Sequence, residues 1–134
     1  MQNIMNEIIN IKKSRLMSLE IEIQKKKKIR DELSTTIVDM TNKVNAFKIK
    51  VTKCRNLMEK SLVRKSRSTF EVLKMRGYYE MRQEQFRVKK SQLDTFNNQL
   101  IEYENEIKTM VKNREKLEKK IEVMQELPLE AFAD

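Results

Sequence analysis

The chain has 134 residues, of which 37% are charged and 6% aromatic, and its formal net charge is +9. So little apolar material excludes a large globular core, and a single glycine and a single proline favour long helices. The absence of histidine and the lone cysteine, Cys54, exclude the usual zinc patterns and a disulfide framework. No apolar run approaches the ~20 residues that cross a bilayer, and no secretion signal is apparent, so we expect a cytosolic protein without membrane insertion.

The first half of the chain carries an apolar repeat with alternating spacings of three and four residues. Every seventh residue from Ile9 to Met58 belongs to it, and a second series follows three residues behind. An apolar repeat that continues over about eight heptads predicts a left-handed coiled coil. The repeat restarts in a new frame at Val72 and continues beyond Ile121, so we predict two helices rather than one.

The boundary between the helices is marked by a capping box. Ser68 is followed three residues later by Glu71, a spacing that lets the serine hydroxyl cap the first turn of a helix. The alternative is a longer first helix closed by Gly77 in a left-handed conformation, but that boundary would interrupt the second repeat. Pro128 ends the second helix. The predicted elements are helix one at about 3–64, a turn at about 65–68, helix two at about 69–127, and a short non-helical tail at 128–134.

Cations within the apolar repeat select the register of the two helices. If facing positions sum to 133, every cation on the seam faces an apolar residue along which its stem can lie while its head reaches water. A shift of one heptad would instead place Lys12 or Lys26 opposite Arg114, and this repulsion fixes the register. The predicted fold is therefore all-α, with two long helices forming an antiparallel coiled-coil hairpin that is monomeric when isolated. The predicted facing pairs are Lys12–Ile121, Lys26–Ile107, Arg30–Tyr103, Arg82–Val51, Lys89–Val44 and Arg114–Leu19.

Positive charge is concentrated around the predicted turn. Residues 43–90 contain 15 basic and 4 acidic residues. This excess indicates either a solvated helical face or a surface that docks on an acidic protein or a polyanion. Nucleic-acid binding is less favoured, because the chain has no basic region joined to a zipper, no helix-turn-helix and no stacking platform. Tyr78 lies off the seam beside Gly77, where an exposed aromatic ring is a candidate contact residue.

An enzymatic role is not expected from this sequence. It has no histidine and no glycine-rich phosphate loop, and its carboxylates are spread along exposed helices. We therefore expect no catalytic residues, no cofactor and no bound metal.

Two segments resemble the FliJ/YscO family, the central stalk proteins of type III secretion systems. They are INIKKSRLMSLEIEIQKKKK at 9–28 and RSTFEVLKMRGYYEMRQEQF at 67–86, similar to the starts of the two helices in the injectisome members. The resemblance implies a helical hairpin like the coiled-coil part of the rotary ATPase gamma subunit. Members sit at the centre of a hexameric secretion ATPase, at the cytosolic face of a membrane-embedded apparatus. They link the ATPase to the cytosolic domain of the export gate and also handle export chaperones.

The resemblance also implies which end of the hairpin binds which partner. By analogy with the rotary stalk, the end bearing both termini enters the hexamer and the turn end points to the gate. The family's apolar gate contact is not carried over, because Arg82 and Gln83 stand in that region. The alternatives are a homo-oligomeric scaffold or adaptor without an ATPase partner, and a basic nucleic-acid-binding helix pair. Predicted ATPase-binding residues are Lys12, Lys13, Arg15, Lys25, Lys27, Lys28, Lys112, Lys116, Lys119 and Lys120. Predicted gate-binding residues are Arg64, Lys65, Arg67 and Tyr78.

Overall fold

A computed structural model describes residues 2–63 and 68–127 of the chain. It contains two α-helices, α1 at Gln2–Val63 and α2 at Thr69–Glu126. The helices pack against each other as an all-α helical hairpin, so the predicted fold class is confirmed. Positions 65–67 of the predicted turn and the predicted tail at 128–134 lie outside the described residues.

The start of α2 has the hydroxyl cap that the capping box predicts. The Ser68 hydroxyl accepts a hydrogen bond of 3.2 Å from the Glu71 backbone N–H, and the Ser68 carbonyl accepts one of 3.2 Å from the Val72 N–H. The first of these bonds satisfies a donor that has no partner inside the first helical turn, and the second is the first regular backbone hydrogen bond of the helix. Gly77 lies within α2 and has no positive φ, so it does not close a longer first helix. The boundary before Thr69 is the one that the capping box indicates.

The heptad repeat forms the seam between the helices. Both series of the repeat are buried or half-buried along α1, from Ile9 to Ser61, and along α2, from Val72 to Met124. The most buried apolar side chains all belong to the seam, and Ile23 is completely buried. Ser61 is the polar member of this buried set. Its hydroxyl donates a hydrogen bond of 2.8 Å to the Leu57 carbonyl, which makes its burial tolerable.

The hairpin divides into two compact units, which differ in charge. One consists of residues 1–32 and 101–134, and the other of residues 33–100. The first contains 14 basic and 14 acidic residues, and we call it the neutral unit. The second contains 15 basic and 6 acidic residues, and we call it the basic unit. The whole net charge of +9 therefore belongs to the basic unit.

Contacts within each unit agree with the predicted register. In the neutral unit, Lys26 Nζ lies 2.5 Å from Glu106 Oε2, and Glu106 is the chain neighbour of Ile107, the predicted partner of Lys26. In the basic unit, Lys89 lines a surface depression together with Lys43 and other residues on either side of its predicted partner, Val44. Ile107 and Val44 are both buried, as expected where the apolar stem of a lysine covers an aliphatic side chain.

The described parts of α1 and α2 contain no stretch that is long and apolar enough to cross a membrane.

Candidate partner-binding surfaces

The predicted ATPase-binding cations all belong to the neutral unit, where most of them project into water. Lys12 is half-buried, as its seam position predicts, and Lys27 is half-buried beside the seam. The structure brings Lys12 of α1 close to the end of α2. The remaining eight side chains are exposed: Lys13, Arg15, Lys25, Lys28, Lys112, Lys116, Lys119 and Lys120.

A surface depression of about 440 Å³ gathers three of these cations in the neutral unit. Lys12, Lys119 and Lys120 line it together with Val123 and Met124. Three lysines and two apolar residues thus share one depression, where the lysine charges would attract carboxylates. The predicted set is thus assembled in part, because the lysines at 25, 27 and 28 lie elsewhere on α1.

Lys26 interrupts that second group of lysines and has a different role. Its Nζ donates a hydrogen bond to Glu106 across the seam and lies 5.7 Å from the centroid of the Tyr103 ring. The hydrogen bond to the Glu106 carboxylate raises the pKa of Lys26, against a smaller opposing effect of desolvation. Lys26 therefore joins the two helices, and its charge is not available to a partner in the way that Lys25 and Lys28 are.

Of the predicted gate-binding residues, Tyr78 can be described. Arg64, Lys65 and Arg67 lie outside the described residues. Tyr78 is 48% exposed, which agrees with its predicted position off the seam.

The guanidinium of Arg82 covers Tyr78. Arg82 Nη2 donates a hydrogen bond of 2.6 Å to the Tyr78 hydroxyl, and the guanidinium carbon lies 4.9 Å from the ring centroid. Arg82 Nη1 also donates a hydrogen bond of 3.0 Å to Gln85 Oε1. Side chains of its own helix therefore bind the head of this seam cation. The arginine fixes the Tyr78 ring and occupies one of its faces.

Sequence reasoning missed an apolar groove in the basic unit. The groove has a volume of about 480 Å³, and α1 contributes Leu57 to it while α2 contributes Gly77, Tyr78 and Met81. Cys54, Met75 and Lys74 complete its lining. A sequence signal for it exists, because Gly77 and Met81 belong to a second stripe on α2.

That second stripe is separate from the seam. Phe70, Gly77, Met81 and Val88 recur at intervals of four and seven residues and therefore share one side of a helix. Phe70 is 74% exposed and Met81 44% exposed. An exposed apolar stripe that continues into a groove is a feature of surfaces that contact other proteins.

The side of the basic unit that holds the groove is strongly basic. We call this side the groove face. It consists of the residues one before and two after each position of the first series of the repeat. In this region that series is Val44, Val51 and Met58 on α1 and Val72, Tyr79 and Phe86 on α2. Between residues 43 and 60 and between residues 71 and 88, the groove face carries one carboxylate, that of Glu71. Its exposed cations in the same ranges are Lys43, Lys50, Lys53, Lys60 and Lys74. The complete face between 43 and 60 and between 71 and 88 is Lys43, Ala46, Lys50, Lys53, Leu57, Lys60, Glu71, Lys74, Tyr78, Met81, Gln85 and Val88.

Carboxylates elsewhere in the basic unit balance cations away from the groove. Glu84 accepts hydrogen bonds from Arg87, which lower the pKa of Glu84. Glu80 lies 3.7 Å from Arg76 on the same helix. The positive potential of the groove face is therefore not cancelled by these two carboxylates, because each already has a cation beside it.

Among the described residues, no three histidine, cysteine or acidic side chains come together in a way that would hold a metal ion.

Comparison of the chain with protein-family models, with curated proteins and with solved structures gives no significant match.

Proposed function

We propose that the chain is the non-enzymatic central stalk of a type III secretion ATPase. In this proposal the neutral unit binds and stimulates the hexameric ATPase, and the basic unit binds the export gate. Escort of free export chaperones is a further part of the same role. The observation that carries the proposal is the division of one helical hairpin into two units of different charge, with exposed cations in both. One hairpin then offers two chemically distinct units to two partners.

The two segments that resemble the FliJ/YscO family support this division of labour. The segment at 9–28 lies in the neutral unit and contains six of the ten proposed ATPase-binding cations, while the segment at 67–86 lies in the basic unit and contains Tyr78. The stalk would contact the subunits of a ring unequally, because a two-helix hairpin has no ring symmetry. Unequal contact favours one nucleotide state in some subunits over others, and this bias stimulates hydrolysis.

Attachment to the ATPase would depend on charge. Lys12, Lys119 and Lys120 line one depression, and their charges would attract acidic side chains of a subunit. Attraction between exposed charges is screened over about 8 Å at physiological salt, so binding should weaken as salt is raised.

A pull-down from an extract of the native cell tests the proposal. The tagged chain is expected to retain an ATPase with a nucleotide-binding Walker motif, identified by mass spectrometry, and to release it at high salt. Reversing Arg64, Lys65 and Arg67 to Glu should spare ATPase capture and weaken capture of the export gate. Loss of the ATPase in this variant, with the gate retained, would mean that the hairpin docks the other way up.

A scaffold or adaptor without an ATPase partner is the second candidate function. The apolar groove beside Leu57 and Met81 favours it, since a groove with a basic border is sufficient for an adaptor. The same pull-down separates the two functions, because an adaptor would retain partners that lack a Walker motif.

A further inference from the structure

We infer that the groove face of the basic unit docks an acidic amphipathic helix of a partner protein, which lies along α1 and α2 as a third helix. This inference deepens the proposed function, because Tyr78 lines the groove and also belongs to the proposed gate contact. Only the identity of the partner rests on the proposed function. Binding of an acidic helix can be measured without any ATPase, so the two can fail separately.

The floor of the groove is suited to apolar side chains of such a helix. Leu57 is 60% exposed on one wall, and Met81 is 44% exposed on the other. A side-chain carbon at Gly77 would meet nothing within 4 Å, so the α2 backbone is open to a large side chain of the partner. Covering these groups would remove apolar surface from water, which drives association.

The charges that border the groove indicate the charge of the occupant. Lys43 and Lys50 are seven residues apart on α1, and so are Lys53 and Lys60. Seven residues rise about 10.5 Å along a helix, so a partner helix with Asp or Glu once per heptad can pair with successive lysines. Glu71 is the one carboxylate within the defined groove face, so repulsion of an acidic helix is small.

Geometry distinguishes an acidic helix from nucleic acid. A single strand binds by stacking its bases on aromatic rings. Tyr78 is the aromatic residue of the groove lining, and the guanidinium of Arg82 already lies over its ring at 4.9 Å. The rest of the floor is aliphatic, with Leu57 and Met81, and this chemistry fits leucine-like side chains.

A membrane surface and a second copy of the chain fit the groove less well. A bilayer surface is flat on this scale and does not enter a groove between two helices. A second copy would bring another basic unit, with 15 basic and 6 acidic residues, against the first, and like charges would oppose the contact.

The test uses a synthetic peptide of three heptads, about 21 residues, with leucine at the seam positions and glutamate beside them. Its binding to the full chain is measured by fluorescence anisotropy at low and physiological salt. We expect saturable one-to-one binding that weakens with salt. A peptide of the same composition in scrambled order should not bind measurably. Absence of binding by the amphipathic peptide, or equal binding of the scrambled peptide, overturns the inference.

Two double variants locate the peptide-binding site. Both make the same change of charge, but on different sides of α1. Lys53→Glu with Lys60→Glu alters the groove face and should weaken peptide binding by at least about tenfold. Lys48→Glu with Arg55→Glu alters the other side of the basic unit and should change binding by less than about twofold. Equal weakening by both pairs would indicate attraction to net charge alone and would contradict a defined groove.

Filling the groove gives a third measurement. Gly77→Leu replaces the poorest helix former except proline with a good one, so α2 should remain folded, as circular dichroism checks. The leucine would occupy the open space and abolish peptide binding. Unchanged affinity in a folded Gly77→Leu protein would show that the peptide binds elsewhere.

Other occupants appear as distinct outcomes of the same assay. A single-stranded oligonucleotide, or vesicles with anionic lipid, that displace the peptide and bind more tightly would overturn the inference in favour of those ligands. Sedimentation that shows a dimer dissociated by the peptide would assign the groove to a second copy.

Discussion

The neutral unit and the basic unit share one fold and differ in what holds their seam cations. In the neutral unit, carboxylates lie beside the seam cations. Lys26 is bound across the seam by Glu106. Asp31 and Glu118 lie beside Arg30 and Arg114, each on the same helix as its cation. In the basic unit, Arg82 is instead bound by two uncharged side chains, those of Tyr78 and Gln85. The heptad seam therefore specifies the hairpin in both units. The charges of the neutral unit balance each other, whereas those of the basic unit leave an excess of positive charge.

Exposed apolar side chains occur in both units, but their arrangement differs. In the neutral unit, the apolar side chains of the surface depression, Val123 and Met124, both belong to α2. In the basic unit, Leu57 and Met81 line the same groove. An apolar cluster to which both helices contribute is a feature of surfaces that contact other proteins.

A designed disulfide in the basic unit should give the largest change in the free energy of unfolding. It also tests the register of the two helices in that unit. Cys at Leu33 and Leu100, with Cys54 replaced by Ser, places two thiols at positions that sum to 133. Closing such a loop should stabilise the hairpin by about 4 kcal/mol if the geometry is unstrained. Mass spectrometry detects the bond, and urea unfolding measures the gain. Preferential cross-linking of position 33 to 93 or to 107 would instead reveal a heptad slip.

Truncating the most buried side chain should be the next largest effect. Ile23→Ala removes methyl groups from a completely buried position and should cost about 2–4 kcal/mol. Ile21→Ala, two residues away at a position 51% exposed, is the matched control and should cost well under about 1 kcal/mol. In Ile23→Ala, amide hydrogen exchange should speed up, relative to the wild type, more in the neutral unit than in the basic unit. Equal losses from the two substitutions would contradict the assigned seam.

Periodicity and capping chemistry predicted the fold of this chain well, for identifiable reasons. The heptad frame places Ile23 and Ile107 on the seam because helical spacing alone decides which residues share a side. Ser68 marked the start of α2 because its hydroxyl caps Glu71, a local interaction encoded within four residues. Cation placement then selected the register that the Lys26 ion pair shows.

The surface features were less predictable. The preference of Arg82 for Tyr78 depends on side-chain geometry within its own helix, which periodicity does not encode. The groove requires Leu57 of α1 to line the same space as Met81 and Gly77 of α2, which depends on how the two helices pack. The excess charge at 43–90 was visible in the sequence, but its boundaries with the neutral unit depend on contacts.

Removal of the helix cap should have a smaller effect, of about 1 kcal/mol, that begins in the basic unit. Ser68→Ala leaves the Glu71 N–H without its acceptor and should lower the free energy of unfolding by that amount. Gly77→Ala should have the opposite sign and raise it by up to about 1 kcal/mol, because Gly77 is helical and the added carbon meets open space. Thermal melting checks both. A marked loss of stability in Gly77→Ala with no change in Ser68→Ala would move the helix boundary to Gly77.

The smallest expected effect is a pH dependence that belongs to the neutral unit. Glu106 raises the pKa of Lys26 above its ordinary 10.5, so the stabilisation is complete below pH 10.5 and is lost as pH rises through the raised pKa. Between about pH 9.5 and 11.5, the melting temperature of the wild type should therefore fall more than that of Glu106→Gln. Glu102→Gln carries the same change of charge nearby and should fall as the wild type does. Identical curves for all three proteins would show that the pair contributes nothing measurable.

Stimulation of the hexameric ATPase tests the proposed function most directly. Hydrolysis is measured with the purified hexamer while the full-length chain is added at increasing salt. We expect the wild type to raise the rate at low salt and Lys25→Glu, Lys27→Glu and Lys28→Glu together to abolish the increase. Because none of the three is a seam position, helicity and melting should be unchanged. Reversing Lys48, Arg55 and Lys90 in the basic unit should retain the stimulation. If neither triple variant changes the ATPase rate at any salt concentration, the stalk proposal is contradicted and the adaptor function remains.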